Sequence, residues 1–279
     1  EKFIVYPNCK INLGLNVVRK RSDGYHDLET VLYPVHLCDK LEAVVGEGAE
    51  GTCSLAISGN KIEGELSDNL IVKAYRMLSA DHILPHINFN LEKHIPSQAG
   101  LGGGSSDATY TLRLLNKLCQ LNLNSATLHQ YAVRLGADCA FFVTATPAFA
   151  TGIGDILEPM NAECAHLHGM YLLIVKPTVA ISTAQAFAFV KPQPTLIKCK
   201  DIVAQPVNSE WRNHLTNNFE VSAFKLHPEM HTIKEQLYNM GALYAQMSGS
   251  GSAFFGIFNT PPTLTANHFN GMFTYLCQL

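Results

Sequence analysis

The segment Gln98-Ala-Gly-Leu-Gly-Gly-Gly-Ser-Ser-Asp107 has four glycines within five residues, and apolar residues follow it at helical spacing (Ala108, Leu112, Leu115 and Cys119). The start of a helix leaves about four N–H groups unpaired and carries roughly half a positive charge. Glycines directly before such a start have no Cβ, so the backbone can close on a phosphate group and adopt left-handed angles. The segment therefore predicts a phosphate-binding turn that leads into a helix.

Two serines end this turn, and more than one role is open to them. The hydroxyls of Ser105 and Ser106 can cap the helix, contact phosphate oxygens or approach a metal ion. The simpler interpretation is a flexible turn whose serines only cap the helix. The turn is not a Walker A loop, because no Gly-Lys-Ser/Thr ends it, and the His-Arg-Asp and Asp-Phe-Gly motifs of protein kinases are absent.

A second loop of glycines and serines, Ser248-Gly-Ser-Gly-Ser252, lies between two apolar runs. A loop of this kind suits close approach of the backbone to the ligand of the first turn. A plain hairpin turn explains the same residues equally well, so both interpretations stay open.

The composition is that of a chain with a full hydrophobic core. Of the 279 residues, 47% are hydrophobic and 15% are charged, which excludes a disordered or fibrous protein. The net charge of −3 gives no basic excess to neutralise a run of phosphates, which argues against binding to nucleic acid. No apolar stretch approaches the ~18–20 residues that span a bilayer. The composition therefore predicts that neither nucleic acid nor a membrane is a partner.

The cysteines and histidines form neither a disulfide pattern nor a metal site. The eight cysteines have no CxxC pair and are expected to be buried, reduced thiols of a cytoplasmic protein. The twelve histidines have no acidic or cysteine partner that completes a zinc set nearby. No signal-peptide pattern is visible at the N-terminus. We therefore predict a cytoplasmic location, while the sequence gives no oligomeric state.

Strands and helices are mixed without a strict βαβ alternation, which favours an α+β fold. Asp68-Asn69 precedes apolar residues at helical spacing and predicts an Asx-capped helix. The run Leu28–Leu37 predicts a strand that Pro34 interrupts. The pattern of predicted strands and helices changes near residue 155, and we place a boundary there between domains 1–155 and 156–279. The last strand or helix is a candidate to pack back on the first domain.

Longer motifs carry a resemblance to known kinases. Pro96-Ser-Gln-Ala-Gly-Leu-Gly-Gly-Gly-Ser-Ser-Asp-Ala108 resembles the phosphate loop of the superfamily that includes galactokinase, homoserine kinase, mevalonate kinase and phosphomevalonate kinase. Four further motifs narrow the resemblance to the branch that acts on a cytidylyl-linked methylerythritol: Pro7-Asn-Cys-Lys-Ile-Asn-Leu-Gly-Leu-Asn16, Arg21-Ser-Asp-Gly-Tyr-His26, Asp68-Asn-Leu-Ile71 and Leu135-Gly-Ala-Asp-Cys-Ala-Phe-Phe142. The likeness runs from residue 6 to about residue 255.

The resemblance implies a two-domain small-molecule kinase fold of the α+β class. It implies a ribosomal-protein-like, ATP-binding N-terminal domain and a ferredoxin-like C-terminal domain, with the active site in the cleft between them. The implied activity is ATP-dependent phosphorylation of the 2-hydroxyl of 4-diphosphocytidyl-2-C-methyl-D-erythritol, in the non-mevalonate isoprenoid pathway. Mg²⁺ is expected with ATP because a triphosphate needs charge neutralisation, and Ser105 and Ser106 are both candidate metal contacts.

In kinases of this superfamily a lysine and an aspartate flank the accepting hydroxyl. The positions that match are Lys10 and Asp138, so the resemblance implies that these two residues are catalytic. Spacing alone favours a different interpretation for each. Lys10 then belongs to the edge of a strand at the surface, and Asp138 to a turn that follows Gly136.

The resemblance also assigns contacts to the two substrates. Tyr25 and Phe187 would stack on the two faces of the cytosine ring, and His26 would hydrogen-bond to it. Spacing alone favours core packing for Phe187. The expected substrate contacts are Asn12, Tyr25, His26, Thr183, Phe187, Gly249 and Ser250. The expected ATP contacts are Asn69, Lys93, Pro96, Gln98, Ala99, Gly100, Leu101, Gly102, Gly103, Gly104, Ser105, Ser106 and Asp107.

Three positions depart from the pattern of these kinases. Asp155 stands where a glutamate is common, Asn218 stands where an aspartate is expected, and Leu32 occupies a place that can be aromatic beside the cytosine site. The first two are expected to affect structure only. Two alternatives stay open: another kinase of the superfamily, acting on mevalonate or homoserine, and a non-catalytic sugar- or nucleotide-sensing protein with the same fold. An RNA-binding protein is excluded by the charge.

Overall fold

The computed structural model describes all 279 residues and contains three four-stranded sheets and eight α-helices, so the predicted α+β class is confirmed. The strands are β1 (Lys2–Val5), β2 (Asn8–Lys20), β3 (His26–Cys38), β4 (Lys40–Val45), β5 (Cys53–Gly59), β6 (Ile87–Lys93), β7 (Ala148–Thr151), β8 (Ile156–Pro159), β9 (Tyr171–Lys176), β10 (Tyr244–Met247), β11 (Phe254–Phe258) and β12 (Phe273–Gln278). The helices are α1 (Leu70–Asp81), α2 (Gly103–Leu118), α3 (Ser125–Leu135), α4 (Thr183–Phe187), α5 (Cys199–Val203), α6 (Ser209–His214), α7 (Glu220–Leu226) and α8 (Met230–Asn239).

The chain forms two compact units, and each is built from separate stretches of sequence. Unit 1 comprises Glu1–Cys9, Leu37–Ser97 and Gly102–Ala145, and unit 2 comprises Lys10–His36, Gln98–Leu101 and Thr146–Leu279. The two long strands β2 and β3 and the glycine-rich turn therefore each belong partly to both units. The domain boundary near residue 155 stays a prediction.

Unit 1 is a sheet with strand order β1-β4-β6-β5, with helices packed on one face. Its pairs are antiparallel except β5 with β6, which are parallel. In β6 the alternate residues Ile87, Phe89 and Leu91 are buried, as the two-residue period of a strand requires. Asn69 caps α1, because its Oδ1 accepts a hydrogen bond of 2.9 Å from the N–H of Ile71. The predicted Asx-capped helix is thus confirmed.

Helix α2 connects this core to the glycine-rich turn. Its N-cap is Gly102, with φ +69°, and its side chains Leu112 and Leu115 are completely buried against the sheet and α1. Full burial of a leucine contributes about 1.5–3 kcal/mol. The core therefore determines where the first turn of α2 lies within unit 1.

Unit 2 contains two sheets, with strand orders β10-β11-β9-β12 and β2-β3-β7-β8. The first is antiparallel throughout, and the last strand, β12, pairs with β9. Helices α7 and α8 cover it through apolar residues such as Ala223 and Leu237. The loop of glycines and serines, Ser248–Ser252, is the turn between β10 and β11.

Strand β3 continues through Pro34, so the predicted interruption is wrong. The neighbouring strand β7 pairs only with Thr30–Leu32, and Pro34 lies beyond that ladder. The missing N–H of the proline therefore costs no hydrogen bond to β7.

Two further predictions concerned buried cysteines and the lack of a membrane-spanning segment. All eight cysteines are free; four are buried and four are partly buried, so burial is complete only for Cys9, Cys139, Cys164 and Cys199. None of the helices combines the length and the apolar character that crossing a membrane requires.

We expect Leu112→Ala to destabilise the protein strongly, because it leaves a cavity where α2 packs on the core. The cost is about 2–5 kcal/mol, or a fall in Tm of roughly 5–15 °C. Leu196→Ala is the matched control, since Leu196 is 99% exposed and its truncation removes no packing. Thermal unfolding followed by circular dichroism measures both. Equal Tm values for the two variants would contradict the packing described for α2.

Candidate functional site

The glycine-rich turn leaves the start of α2 open to a ligand. No side chain caps α2, and its first intrahelical hydrogen bond runs from the N–H of Ser106 to the carbonyl of Gly102. The amides of residues 103–105 before that bond have no acceptor in the helix and point along its axis, where the helix dipole favours an anion. The interpretation in which Ser105 and Ser106 only cap the helix is therefore wrong.

Two neighbouring glycines at this helix start differ in what surrounds them. A Cβ on Gly103 would lie 2.9 Å from Ile95 Cγ2 and 3.0 Å from Lys93 Nζ, so a side chain there would force these neighbours to shift. A Cβ on Gly104 would meet no atom within 4 Å. The exposed space over Gly104 is therefore the part of the first turn that a ligand can approach most closely.

A buried cluster of three charged side chains supports this turn from inside unit 1. Lys93 Nζ donates to Asp39 Oδ2 at 2.6 Å and to Asp107 Oδ2 at 2.8 Å, and all three side chains are at most 4% exposed. The other oxygen of Asp39 accepts from the N–H groups of His94 and Ile95, at 2.7 and 2.8 Å. Asp39 therefore fixes the end of β6 and the backbone that leads into the glycine-rich turn.

The pKa values of Lys93 and Asp107 in this cluster are shifted for different reasons. Burial lowers the pKa of Lys93, but attraction to Asp107 and Asp39 outweighs burial, so the pKa of Lys93 is raised overall. Burial, opposed by Lys93 and reinforced by Asp39, raises the pKa of the Asp107 carboxyl well above its ordinary value. Asp107 Oδ1 is buried without a hydrogen-bond partner. One ammonium group thus compensates a single carboxylate, and Asp107 is the group that favours its proton.

In unit 2, Lys10 and Asn12 occupy the same face of β2 and are hydrogen-bonded to each other. Lys10 Nζ donates to Asn12 Oδ1 at 2.6 Å and to the carbonyl of Gly100 at 2.8 Å. Asn12 Nδ2 donates in turn to Thr30 Oγ1 at 3.0 Å. Lys10 is 2% exposed, so the interpretation of Lys10 as a surface lysine at a strand edge is wrong. The ammonium group is held at one position beside the glycine-rich turn.

The loop Ser248–Ser252 is both a hairpin turn and a partner of the glycine-rich turn. It joins β10 to β11, and Ser248 Oγ donates to the carbonyl of Gly100 at 2.9 Å. The N–H of Ala253, just after the loop, donates to the carbonyl of Ala99 at 2.9 Å. Gly100 has φ +75°, and a Cβ there would lie 2.1 Å from the carbonyl oxygen of Ser248. The hairpin interpretation is therefore confirmed, while close approach of this loop to a ligand of the first turn stays a prediction.

The aromatic residues assigned to the cytosine ring lie in unit 2. His26 stacks on Phe187, with ring centroids 4.3 Å apart and an interplanar angle of 18°. Phe187 also meets the edge of Phe219 at 4.9 Å. Tyr25 is 62% exposed. The ring beside Phe187 is thus His26, and the stacking of cytosine between Tyr25 and Phe187 stays a prediction.

The remaining predicted residues have simpler surroundings. Asp138 lies in the first turn of a 3₁₀-helix, Ala137–Val143, in unit 1, and is partly buried. Thr183 is the first residue of α4, which a capping box of Ser182 and Gln185 begins. The glycine-rich turn contains buried Ala99 and Leu101 and exposed Gln98 with φ 52°, and Pro96, two residues before the turn, is partly exposed. The pairing of Lys10 with Asp138 stays a prediction.

The three residues that depart from the kinase pattern make contacts within the protein. Asp155 Oδ1 accepts from the N–H of Ile153, and Asn218 Oδ1 accepts from the N–H of Val17. Leu32 is 1% exposed and pairs with Ala148 in the sheet.

Sequence reasoning missed two residues of this site. Asp39 follows strand β3 without a motif, and the partners of its side chain lie more than 50 residues away along the chain. Thr30 is one of several polar residues in a strand, and only the folded chain brings it to Asn12. The single available signal for Asp39 is its place just after the predicted strand Leu28–Leu37.

Two regions of the chain match the GHMP kinases. Residues 69–146 match the GHMP kinases N terminal domain, and residues 199–266 match the GHMP kinases C terminal domain. The glycine-rich turn and Asp138 lie within the first region. The loop Ser248–Ser252 lies within the second.

Individual proteins are similar over nearly the whole chain. A protein of Bacteroides fragilis named 4-diphosphocytidyl-2-C-methyl-D-erythritol kinase is 47% identical over 99% of this chain and 99% of its own length. A crystal structure of 4-(cytidine 5'-diphospho)-2C-methyl-D-erythritol kinase is 30% identical, with a TM-score of 0.73, over 91% of this chain and 90% of that one. A crystal structure of mevalonate kinase is 14% identical with a TM-score of 0.70, over 99% and 98% of the two chains, and shows a shared fold alone.

We expect Asp107→Asn to change how stability depends on pH. The folded state holds the proton of Asp107 more tightly than the unfolded state, whose carboxyl has a pKa near ~3.9. Above that pH the contribution of Asp107 to the free energy of unfolding therefore falls, by up to about 1.4 kcal/mol per pH unit, until the raised pKa is passed. An asparagine at 107 cannot titrate, so this part of the slope disappears.

Urea unfolding at pH 5, 6 and 7 measures these slopes. Asp201→Asn, which changes an exposed aspartate of α5, is the control and should keep the slope of the wild type. Identical slopes for the wild type and Asp107→Asn would contradict a raised pKa at Asp107.

Proposed function

Because this chain belongs to the GHMP kinase family, and within it to the 4-diphosphocytidyl-2-C-methyl-D-erythritol kinases, we propose that it transfers the γ-phosphoryl group of ATP to the 2-hydroxyl of 4-diphosphocytidyl-2-C-methyl-D-erythritol. This is a step of the non-mevalonate pathway to isoprenoid precursors. The observation that carries the proposal is the similarity over nearly the full length to kinases named for this substrate.

The donor, ATP, is proposed to bind at the start of α2. The uncapped amides before Ser106 and the open space over Gly104 suit phosphate oxygens. Lys93 and Asp107 are buried and paired with each other, so their role toward ATP is to hold the turn, not to contact the nucleotide. Asn69 caps α1 and is proposed to contact the nucleotide from there.

Mg²⁺ is proposed to accompany the triphosphate, whose charge it would neutralise. Mg²⁺ in kinases keeps several waters and takes few protein ligands besides phosphate oxygens. Ser105 fits this requirement, because it lies in the first turn of α2 and is a partly exposed residue. Ser106 Oγ is completely buried without a partner, which makes Ser106 the weaker of the two candidates.

The acceptor alcohol is a weak nucleophile, with a pKa close to the ~15.7 of water. A carboxylate cannot remove its proton before attack, but the transition state of phosphoryl transfer is loose, and the proton can leave late. We assign Asp138 to orient the hydroxyl and collect that proton. Lys10 is assigned to the negative charge that develops near the accepting oxygen, since Asn12 and Gly100 hold its ammonium group in place.

Recognition of the cytidylyl group is assigned to the aromatic residues of unit 2. Phe187 and Tyr25 offer ring faces, and stacking on each face is worth about 1–3 kcal/mol. Stacking does not select cytosine, so hydrogen bonds from His26 and nearby backbone are required for specificity. Because His26 stacks on Phe187, the cytosine ring must displace one of these two rings to reach Phe187 on that face.

The enzyme is proposed to work in the cytoplasm on small molecules alone. Its eight free cysteines suit a reducing compartment. Its net charge of −3 gives no basic surplus for nucleic acid.

The direct test is a coupled assay of ADP release with 4-diphosphocytidyl-2-C-methyl-D-erythritol, mevalonate and homoserine as acceptors. Only the first is expected to support turnover. We expect Asp138→Asn to lower kcat by about 100-fold or more, because it removes the proton acceptor, and to leave the KM for ATP within about threefold. A wild type that prefers mevalonate or homoserine would refute the substrate. Turnover by Asp138→Asn at nearly the wild-type rate would refute the role of Asp138.

Gly104→Ala tests where the phosphates lie. A Cβ at Gly104 meets no protein atom, and alanine is favoured over glycine in a helix by about 0.5–1 kcal/mol. The Tm should therefore be unchanged or raised, whereas the KM for ATP should rise about tenfold or more, because the methyl group fills phosphate space. Gly103→Val is less informative, since its side chain would strike Lys93 and Ile95. An unchanged KM for ATP in Gly104→Ala would exclude phosphate binding over this turn.

A further inference from the structure

Asn217 is a buried polar residue in unit 2, placed beside the strand that carries Lys10 and Asn12. The N–H of Leu15 donates to the carbonyl of Thr216, and the N–H of Asn218 donates to the carbonyl of Leu15, both at 2.9 Å. This short parallel bridge fixes residues 216–218 against β2. Asn217 is 3% exposed, so its side chain must satisfy its hydrogen bonds within the protein.

The side chain of Asn217 uses three hydrogen bonds to do so. Its Oδ1 accepts from the N–H of Phe219 at 2.9 Å. Its Nδ2 donates to the carbonyls of Met247 and Gly249, both at 2.8 Å. Both amide hydrogens are therefore committed to the turn between β10 and β11, and the orientation of the carboxamide is fixed by all three partners.

These contacts determine which way the peptide group after Gly249 faces. In a trans peptide the C=O and the following N–H point in opposite directions. The carbonyl of Gly249 points at Asn217, so the N–H of Ser250 points away from it. No protein group accepts a hydrogen bond from that N–H. Asn217 thus presents the Ser250 amide, which is partly exposed, as an unused donor.

The same turn is joined to Lys10 through one shared acceptor. Ser248 Oγ and Lys10 Nζ both donate to the carbonyl of Gly100, at 2.9 and 2.8 Å. Gly249 lies so close that a Cβ there would be 3.0 Å from that carbonyl oxygen. A displacement of the turn would therefore also move the group that holds the ammonium of Lys10.

We propose that Asn217 is a positioning residue for phosphoryl transfer, which orients the Ser248–Ser250 turn so that the Ser250 amide faces the cytidylyl substrate and the Gly100 carbonyl holds Lys10. The inference rests on the proposed function, because it assigns the turn to that substrate. Asn217 touches no reacting atom; it acts through the backbone of the turn.

Asn217→Asp is the sharpest variant, since it keeps the shape and the Oδ1 acceptor. It replaces two donors with an oxygen that faces two carbonyl oxygens, which repel it. A misplacement of about 1 Å in such a site can cost roughly 100-fold in rate. We expect kcat/KM for the cytidylyl substrate to fall about 10- to 100-fold, with the KM for ATP within about threefold.

Asn218→Asp is the matched control, because it makes the same chemical change one residue further on. Asn218 uses only an acceptor, Oδ1, toward the N–H of Val17, and an aspartate keeps that acceptor. Its kcat/KM should stay within about twofold of the wild type. Equal losses in the two variants, or a loss in Asn217→Asp that merely follows a smaller folded fraction, would overturn the proposal. So would wild-type turnover by folded Asn217→Asp.

Amide NMR of ¹⁵N-labelled protein separates this inference from the proposed function. Asn217→Asp should shift the resonances of residues 247–252 and of Gly100, whereas Asn218→Asp should leave them in place. If the wild type fails to phosphorylate the cytidylyl substrate but these shifts occur, the proposed function is wrong and the control of the turn by Asn217 stands. If the wild type is active and the resonances of the turn do not move, the inference is wrong.

Discussion

The carbonyl oxygen of Gly100 is the point at which separate parts of unit 2 meet. It accepts from Lys10 on β2 and from Ser248 in the turn between β10 and β11, and the backbone of that turn leaves no room for a Cβ on Gly100. Two structural features therefore favour glycine at this position: a left-handed φ and a very close contact with another backbone segment. The position of the Lys10 ammonium group depends on both features, because a displaced Gly100 carbonyl would move its hydrogen-bonded ammonium group with it.

The start of α2 depends on a different kind of support, which is electrostatic. Lys93 is the only cation of a buried cluster that holds two carboxyl groups, so the cluster keeps a proton or carries an unbalanced charge. Such a group is costly to bury unless each atom has a partner, and Asp107 Oδ1 has none. The protein thus keeps a buried charged cluster that is costly in free energy next to the turn that is proposed to hold phosphate. Asp39 connects this arrangement to the backbone through two further hydrogen bonds.

Local patterns in the sequence predicted what depends on local geometry. The glycines before α2 and the cap at Asn69 follow from backbone sterics and helix ends, which a few neighbouring residues determine. Pro34 was misjudged because its effect depends on where the adjacent strand stops. Asp39 and the stacking of His26 on Phe187 were out of reach, since their partners lie far away along the chain. The roles of Lys10 and Asp138 came from resemblance, and spacing alone would have placed Lys10 at the surface.

The path of the chain between the units has a consequence for how the protein can be divided. The backbone changes unit five times, after residues 9, 36, 97, 101 and 145. A fragment that begins at Thr146 lacks β2 and β3, and with them half of a sheet. A fragment that ends at Ala145 carries these strands without β7 and β8. A cut after residue 145 therefore divides the strands of one sheet between two polypeptides, and neither fragment alone contains a complete unit.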